Sequence, residues 1–292
     1  MSQVRFDRGA TVIDYFKDLD VTIRHALEED IGESDLTASI VPAELQASAR
    51  VIVRESAVLC GMRWFNAVYA ALDPEVIVHW YFRDGDRVTA GDVVCEITGA
   101  ARSILTGERT ALNFLQSLSG TATIAAHYVA QLAGTQTRLL DTRKTLPGLR
   151  RAQKYAVKCG GGHNHRAGLY DGVLVKENHL AAAGGITAAV SSLRRAGITV
   201  PVEVEVECCT QIEEAITAGA DMLLLDNFTF PQMREAVQIT AGRIPLEASG
   251  GFHDGDLQAI GATGVDYVSV GSLTKHLRAI DFSMRITQAQ GP

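Results

Sequence analysis

The apolar positions of this chain fall into two unlike patterns. From about residue 139 onward, short apolar and β-branched runs recur: TRLLD (137–141), GVLVKEN (172–178), VPVEVEVE (200–207), MLLLDN (222–227), IPLEASGG (244–251) and VDYVSVGS (265–272). Segments with helical spacing lie between them, among them LRRAQKYAVK (149–158), ITAAVSSLRRAG (186–197), TQIEEAITAGAD (210–221) and PQMREAVQITAG (231–242). Several close on glycine just before the next strand, as helix C-caps do. Strands and helices alternating in this way predict parallel βαβ units.

The first part of the chain reads differently. IRHALEEDIG (23–32) and MRWFNAVYAAL (62–72) have helical spacing, and SARVIVRESAVLCG (48–61) alternates like a strand pair. VIVHWYFRDGDRVTAGDVVCEITG (76–99) has strand character with turns at Asp84-Gly85 and Ala90-Gly91. ERTALNFLQSLSGTATIAAHYVAQL (108–132) predicts one long helix joining the two parts. The expected organisation is an N-terminal α+β domain with a largely antiparallel sheet over 1–120, and a C-terminal α/β domain with parallel strands over 121–280.

Each of the six late strands ends in polar residues or glycine: Asp141-Thr142-Arg143-Lys144, Lys176-Glu177-Asn178, Glu205, Asp226-Asn227, Ser249-Gly250-Gly251 and Gly271-Ser272. An α/β barrel builds its active site from the C-terminal ends of its strands, so these ends predict one convergent site. Six strands fall short of eight, and the expected architecture is an open, incomplete α/β barrel.

Composition is that of a globular protein, 47% hydrophobic and 21% charged. There is no run of about 18 apolar residues to span a membrane, and the N-terminus lacks the apolar stretch of a secretory signal. The five cysteines contain no C-x-x-C pair, which argues against a disulfide framework or zinc site and suits a reducing cytoplasm. Charge changes the picture more. The formal net charge is −7, yet residues 141–179 hold eight Lys/Arg against three Asp/Glu. A basic cluster on an acidic background points to a pocket for a small polyanion and away from nucleic acid.

Ser249-Gly250-Gly251 and Val270-Gly271-Ser272 follow the last two strands, where barrel enzymes often hold phosphate on exposed backbone N–H groups. Alone, each is an ordinary tight turn; the pairing at adjacent late strands favours phosphate. Arg150, Arg151, Lys154 and Lys158 fit a solvated helix face. Arg143, Lys144 and Lys176 sit at strand ends, where Arg suits bidentate capture of carboxylate or phosphate and Lys supplies a point charge. Glu203, Glu205 and Glu207 share one strand face. Burying them all uncompensated is costly, so at least one is expected to meet a cation. Glu205, nearest the mouth, pairs naturally with Asp226, either around Mg²⁺ beside a phosphorylated substrate or in ion pairs with the basic cluster. A Schiff-base aldolase using Lys176 fits the arginine excess poorly. DGDRVTAGDVVCEITG (84–99) resembles a biotinyl or lipoyl carrier hairpin, but no lysine occurs between Lys17 and Lys144 to be modified.

Taken together, GERTALNFLQSLSGTAT, DTRKTLPGLR, KYAVKCGGGHNHRAGLYDGVLVKENH, VEVE, LLDN, ASGG and VSVGSLTKH resemble the signature blocks of the quinolinate phosphoribosyltransferase family, a type II phosphoribosyltransferase family, over about residues 23 to 285. The resemblance implies an N-terminal α/β sandwich, an open barrel, and a C-terminal tail (about 280–292) returning to the N-terminal domain. It implies transfer of phosphoribose from phosphoribosyl pyrophosphate (PRPP) to quinolinate with loss of CO₂, in NAD biosynthesis, with Mg²⁺. A relative using nicotinate or another aromatic acid remains the alternative. The implied roles are a carboxylate clamp of Arg143, Lys144, His165 and Arg166, with Arg109 entering from a neighbouring subunit of a homodimer or larger assembly and Thr142 among the substrate-binding residues. Ser249, Gly250, Gly251, Val270, Gly271 and Ser272 hold the 5′-phosphate, Lys144 and Lys176 the pyrophosphate, and Glu205 and Asp226 the ribose and, indirectly, the metal.

Overall fold

A computed structural model describes residues 13–290 apart from His253. The elements in chain order are α1 (Leu19–Ile31), β1 (Gln46–Val53), β2 (Ala57–Val58), α2 (Met62–Leu72), β3 (Ile77–Trp80), β4 (Arg87–Val88), β5 (Val93–Ala100), α3 (Ala101–Gln131), β6 (Arg138–Leu140), α4 (Arg150–Cys159), β7 (Val173–Val175), α5 (Glu177–Ala183), α6 (Ile186–Arg195), β8 (Val202–Val206), α7 (Thr210–Ala218), β9 (Met222–Asp226), α8 (Phe230–Thr240), β10 (Leu246–Ser249), α9 (Asp256–Gly261), β11 (Tyr267–Ser269), α10 (Ser272–Lys275) and β12 (Phe282–Gln290). The chain forms two compact units. One comprises Asp14–Ala126, Thr145–Gly161 and the segment from Leu273 onward; the other comprises His127–Lys144 and Gly162–Ser272.

The first unit carries an antiparallel sheet in the order β12-β1-β5-β3 and a two-stranded sheet, β2-β4. Alternation along β1 buries Ala47, Ala49, Val51 and Val53 on one side. Trp64, Phe65, Val68 and Tyr69 of α2 lie in the same apolar core. Each such side chain contributes about 1.5–3 kcal/mol when fully buried, so this core and not strand propensity holds the unit together. The tail pairs with β1 from Val53↔Phe282 to Gln46↔Gln290. One local expectation is corrected: β1 and β2 do not pair with each other, because β1 takes β12 and β5 while β2 takes β4. Period-2 alternation finds strands and is blind to which strand lies beside which.

The second unit is a six-stranded parallel sheet in the order β6-β11-β10-β9-β8-β7, with helices between its strands. The strands predicted from the apolar runs are all present, each shorter than its run. β6 and β7 stand at opposite edges, so the sheet is open. The free edge of β6 is not bare: His163 N–H donates to Leu139 O (2.8 Å), and Asp141 N–H donates to His163 O (3.1 Å). The glycine-rich loop after α4 thus returns beside β6 as a single extended bridge, which brings His165 and Arg166 to the strand ends.

The candidate active site

All five residues of β8 are buried, including Glu203 and Glu205. Val202, Val204 and Val206 take one side of the strand and the glutamates the other, as the VEVEV pattern requires. The glutamate side faces a cavity of about 350 Å³ lined by strand-end residues. Its polar lining is Thr142, Arg143, Lys144, His165, Arg166, Lys176, Glu205, Asp226, Glu247, Ser249 and Ser269, and Leu174 and Leu224 are its apolar patches. Nine of the residues predicted for the site therefore line one cavity in this unit. Gly250 and Gly251 directly follow β10, and Val270, Gly271 and Ser272 directly follow β11. Arg109 is exposed on α3, in the other unit.

The loop between α4 and β7 is tied down by two buried aspartates. Asp141 accepts from Asn164 Nδ2 (2.7 Å) and from the His165 backbone N–H (2.9 Å). Asp171 accepts from the backbone N–H groups of Ala167 (2.7 Å) and Gly168 (2.9 Å). Charge-assisted bonds of this kind contribute roughly 1.5–3 kcal/mol each, enough to hold a loop rich in glycine. Arg166 completes it by donating to Gly172 O (3.0 Å). Burial, and Arg143 beside it, lower the Arg166 pKa; the two guanidiniums repel each other in a way that a bound dianion relieves.

The cavity floor is the least legible part of the sequence. His165 Nε2 lies 2.8 Å from Glu203 Oε2 and 3.4 Å from Glu247 Oε2. Both glutamates are buried, and Glu203 Oε1 and Glu247 Oε1 have no hydrogen-bond partner. Burial, then the neighbouring Glu247, push the Glu203 pKa up to about 7. Burial works against charge on His165, but Glu247 and Glu203 outweigh it and raise its pKa well above the usual imidazole range. Among the described residues these three form the cluster with metal-like spacing, their ligand atoms all within 4.8 Å. The Arg166 backbone N–H points at His165 Nδ1 (2.7 Å), and Nε2 faces the two carboxylates. Sequence reasoning placed Glu203 on the right face but gave it no part of its own, named Asp141 only as a strand-end residue, and passed over Glu247. The available signal was a carboxylate within the apolar run IPLEAS and another closing the run RLLD, since a buried charge needs a partner.

At the mouth, Lys176 Nζ donates to Glu205 Oε2 (3.0 Å). Lys176 is half-exposed, so this pair orients more than it stabilises. Burial raises the Glu205 pKa, Lys176 opposes that, and the neighbouring Glu177 and, less, Asp226 add to it. Two carboxylates on adjacent strands that repel each other form an oxygen-rich site suited to a hard divalent cation. Glycine at 271 is explained by proximity: a Cβ there would stand 2.8 Å from Lys144 Cδ and 3.5 Å from Thr142 Oγ1.

This is an α/β enzyme architecture, with an anion-binding cavity at the C-terminal ends of its parallel strands. Comparison with known proteins makes the class specific. The family model for the quinolinate phosphoribosyl transferase N-terminal domain matches residues 35–119, and that for the C-terminal domain matches residues 121–285. The chain is 41% identical over 266 residues to a probable nicotinate-nucleotide pyrophosphorylase [carboxylating] of Bacillus subtilis, covering 91% of this chain and 92% of the relative. It is 40% identical over 273 residues to the nicotinate-nucleotide pyrophosphorylase [carboxylating] of Mycobacterium leprae, covering 90% and 95%. The solved structure of nicotinate-nucleotide pyrophosphorylase from Francisella tularensis superposes with a TM-score of 0.91 at 43% identity, covering 96% of this chain and 99% of that one. The chain belongs to the quinolinate phosphoribosyltransferase family.

Proposed function

We infer that this protein transfers phosphoribose from PRPP to quinolinate and releases pyrophosphate and CO₂, giving nicotinate mononucleotide for NAD biosynthesis. The single observation that carries this reading is the cavity itself. Arg143, Lys144, Arg166 and Lys176 meet there with Glu205, Asp226 and the Ser249 strand end, a set that offers cations to two polyanionic substrates and carboxylates to a sugar.

The chemistry needs little covalent help. Arg143 and Arg166 take the two adjacent carboxylates of quinolinate, and Thr142, Lys144 and His165 border them. The β10 and β11 turns, with Ser249, Gly250, Gly251, Val270, Gly271 and Ser272, hold the 5′-phosphate on backbone N–H groups. Lys144 and Lys176 face the pyrophosphate. Glu205 and Asp226 contact the ribose and stand where positive charge develops on the anomeric carbon as pyrophosphate departs. The pyridine nitrogen forms the new bond to that carbon. The positive nitrogen of the resulting pyridinium stabilises the electron pair that stays on C2 when the 2-carboxylate departs as CO₂, and that pair then takes a proton. Positioning and electrostatics are the enzyme's contribution.

Glu205 and Asp226 also suit Mg²⁺ held mainly by PRPP, which when bound neutralises charge on the leaving pyrophosphate. The functional division is a catalytic domain over about 121–280 and a second domain over 1–120 with the tail at about 280–292, a reading supported by family models that match 35–119 and 121–285. Arg109, exposed on α3, serves the site of a neighbouring subunit in a homodimer or dimer-based assembly. Five free cysteines suit a reducing cytoplasm.

The direct test is an acceptor comparison with purified protein, PRPP and Mg²⁺. Quinolinate is expected to give nicotinate mononucleotide at least ~100-fold more efficiently than nicotinate, because an acceptor lacking one carboxylate leaves a cation unpaired. Preference for nicotinate would contradict the reading and favour the alternative acceptor.

A further inference from the structure

Asn227 is one of two non-glycine residues with positive φ among those described, at φ 55°. The other, Ala241, is a helix C-cap, where left-handed backbone is ordinary. Asn227 instead sits one residue past β9, next to the cavity-lining Asp226, where nothing about ending a helix explains it. Asparagine is among the few residues that tolerate this conformation.

Three contacts fix what the bend accomplishes. The Asn227 backbone N–H donates to Ser249 O (2.9 Å), extending the β9–β10 ladder beyond Asp226↔Ser249. Its side-chain Nδ2 donates to Asp226 Oδ2 (2.8 Å). Its Oδ1 is turned toward the next turn, and a Cβ at Gly250 would stand only 3.2 Å from it. The amide orientation is unambiguous, because a carboxylate oxygen requires the N–H end. Gly250 carries no positive φ, so it is the space taken by Asn227, and not backbone strain, that glycine accommodates here. One residue thus bonds the carboxylate assigned to the ribose and metal through its side chain and the strand end leading into the turn assigned to the 5′-phosphate through its backbone N–H, with its Oδ1 on the side of Gly250.

We propose that Asn227 is a positioning residue that locks the Asp226 carboxylate and the Ser249–Gly250 turn into one register, so that the two ends of the PRPP site form together. The inference rests on the assignment of PRPP to this cavity. At this φ one residue reaches both groups, Asp226 with its side chain and Ser249 with its backbone N–H; an uncommon backbone conformation held at a site by its surroundings is often part of how that site works. Neither family resemblance nor sequence spacing singles this residue out from its neighbours.

The test separates positioning from structure by using glycine. Asn227→Gly removes the amide but is at ease at φ 55°, so its Tm is expected to equal or exceed that of the wild type. Its Kd for PRPP, measured by calorimetry with Mg²⁺ and without acceptor, is expected to rise ~10-fold or more, with KM for quinolinate within about 2-fold of wild type. Asn227→Asp keeps the size and tolerance of left-handed backbone but sets a carboxylate against Asp226, and is expected to weaken PRPP at least as much. A wild-type Kd in Asn227→Gly overturns the proposal. So does a parallel loss of PRPP affinity, quinolinate affinity and Tm, which marks a merely structural residue. If the wild-type protein binds no PRPP, the assignment of the cavity fails first, and the inference falls with it.

Discussion

At the scale of single residues, the buried carboxylates under His165 are the feature with the sharpest consequence. Two buried glutamates with unpartnered oxygens are costly, on the order of several kcal/mol per uncompensated charge, and their effect is to favour charge on His165. Replacing Glu247 with Gln removes one of the two. The folded-state pKa of His165 then falls, so the alkaline limb of kcat/KM for quinolinate is expected to shift to lower pH, with little change in KM for PRPP. The same substitution affects stability with a defined sign. A histidine whose folded pKa is raised contributes stability fully present below its unfolded value and lost as pH rises through the folded value. The Tm deficit of Glu247→Gln is therefore expected to be greatest near pH 6 and to shrink toward pH 9. A pH-independent deficit would show that Glu247 fills space and does not set charge. Lys144→Ala, which removes a cation from the donor side, is expected to lower kcat at least ~100-fold, in line with the loss of one preorganised charge, while Tm stays within a few degrees.

At the scale of elements, the βα turns do the work. Gly271→Ala places a Cβ 2.8 Å from Lys144 Cδ, and the lysine must shift to admit it. Activity is expected to fall ~10-fold without loss of fold, because a displacement approaching 1 Å at a reacting centre is expensive; wild-type kinetics in this variant would show that Lys144 has slack. These turns were legible in the sequence. Ser249-Gly250-Gly251 and Gly271-Ser272 announce themselves because glycine and small polar residues at the ends of apolar strands have few other uses. The loop His163–Arg166 was legible as chemistry but not as structure: nothing in GGGHNHR says that it bridges to β6, since one isolated ladder contact leaves no periodic trace. The mispairing of β1 with β2 has the same origin. β1 finds its partner β12 some two hundred residues away, at Val53↔Phe282, and pairing at that separation is invisible to local pattern. Glu203 and Glu247 were readable only as anomalies, polar residues in apolar strands whose partner is supplied by a distant loop.

At the scale of the whole molecule, sequence gave the class of each unit because periodicity survives averaging: alternation marks the antiparallel sheet, and repeated βα spacing marks the parallel one. It did not show that Thr145–Gly161, which carries α4, joins the unit of the antiparallel sheet, because an amphipathic helix reads the same against either core. Arg109 carries the prediction proper to this scale. If it serves a neighbouring subunit, Arg109→Ala and Lys144→Ala are each nearly inactive alone. Mixed by unfolding and refolding together, they are expected to regain about a quarter of wild-type activity, the share of intact sites in randomly paired dimers. No recovery would place Arg109 in its own subunit's site or outside any site. The central claim is that one strand-end cavity joins phosphoribosyl transfer to decarboxylation, and release of labelled CO₂ from quinolinate carrying the label in its 2-carboxylate tests it most directly. The account predicts release that requires both PRPP and Mg²⁺, equals pyrophosphate formed mole for mole, and is nearly abolished in Lys144→Ala. Release without PRPP, or pyrophosphate formed without CO₂, would contradict it.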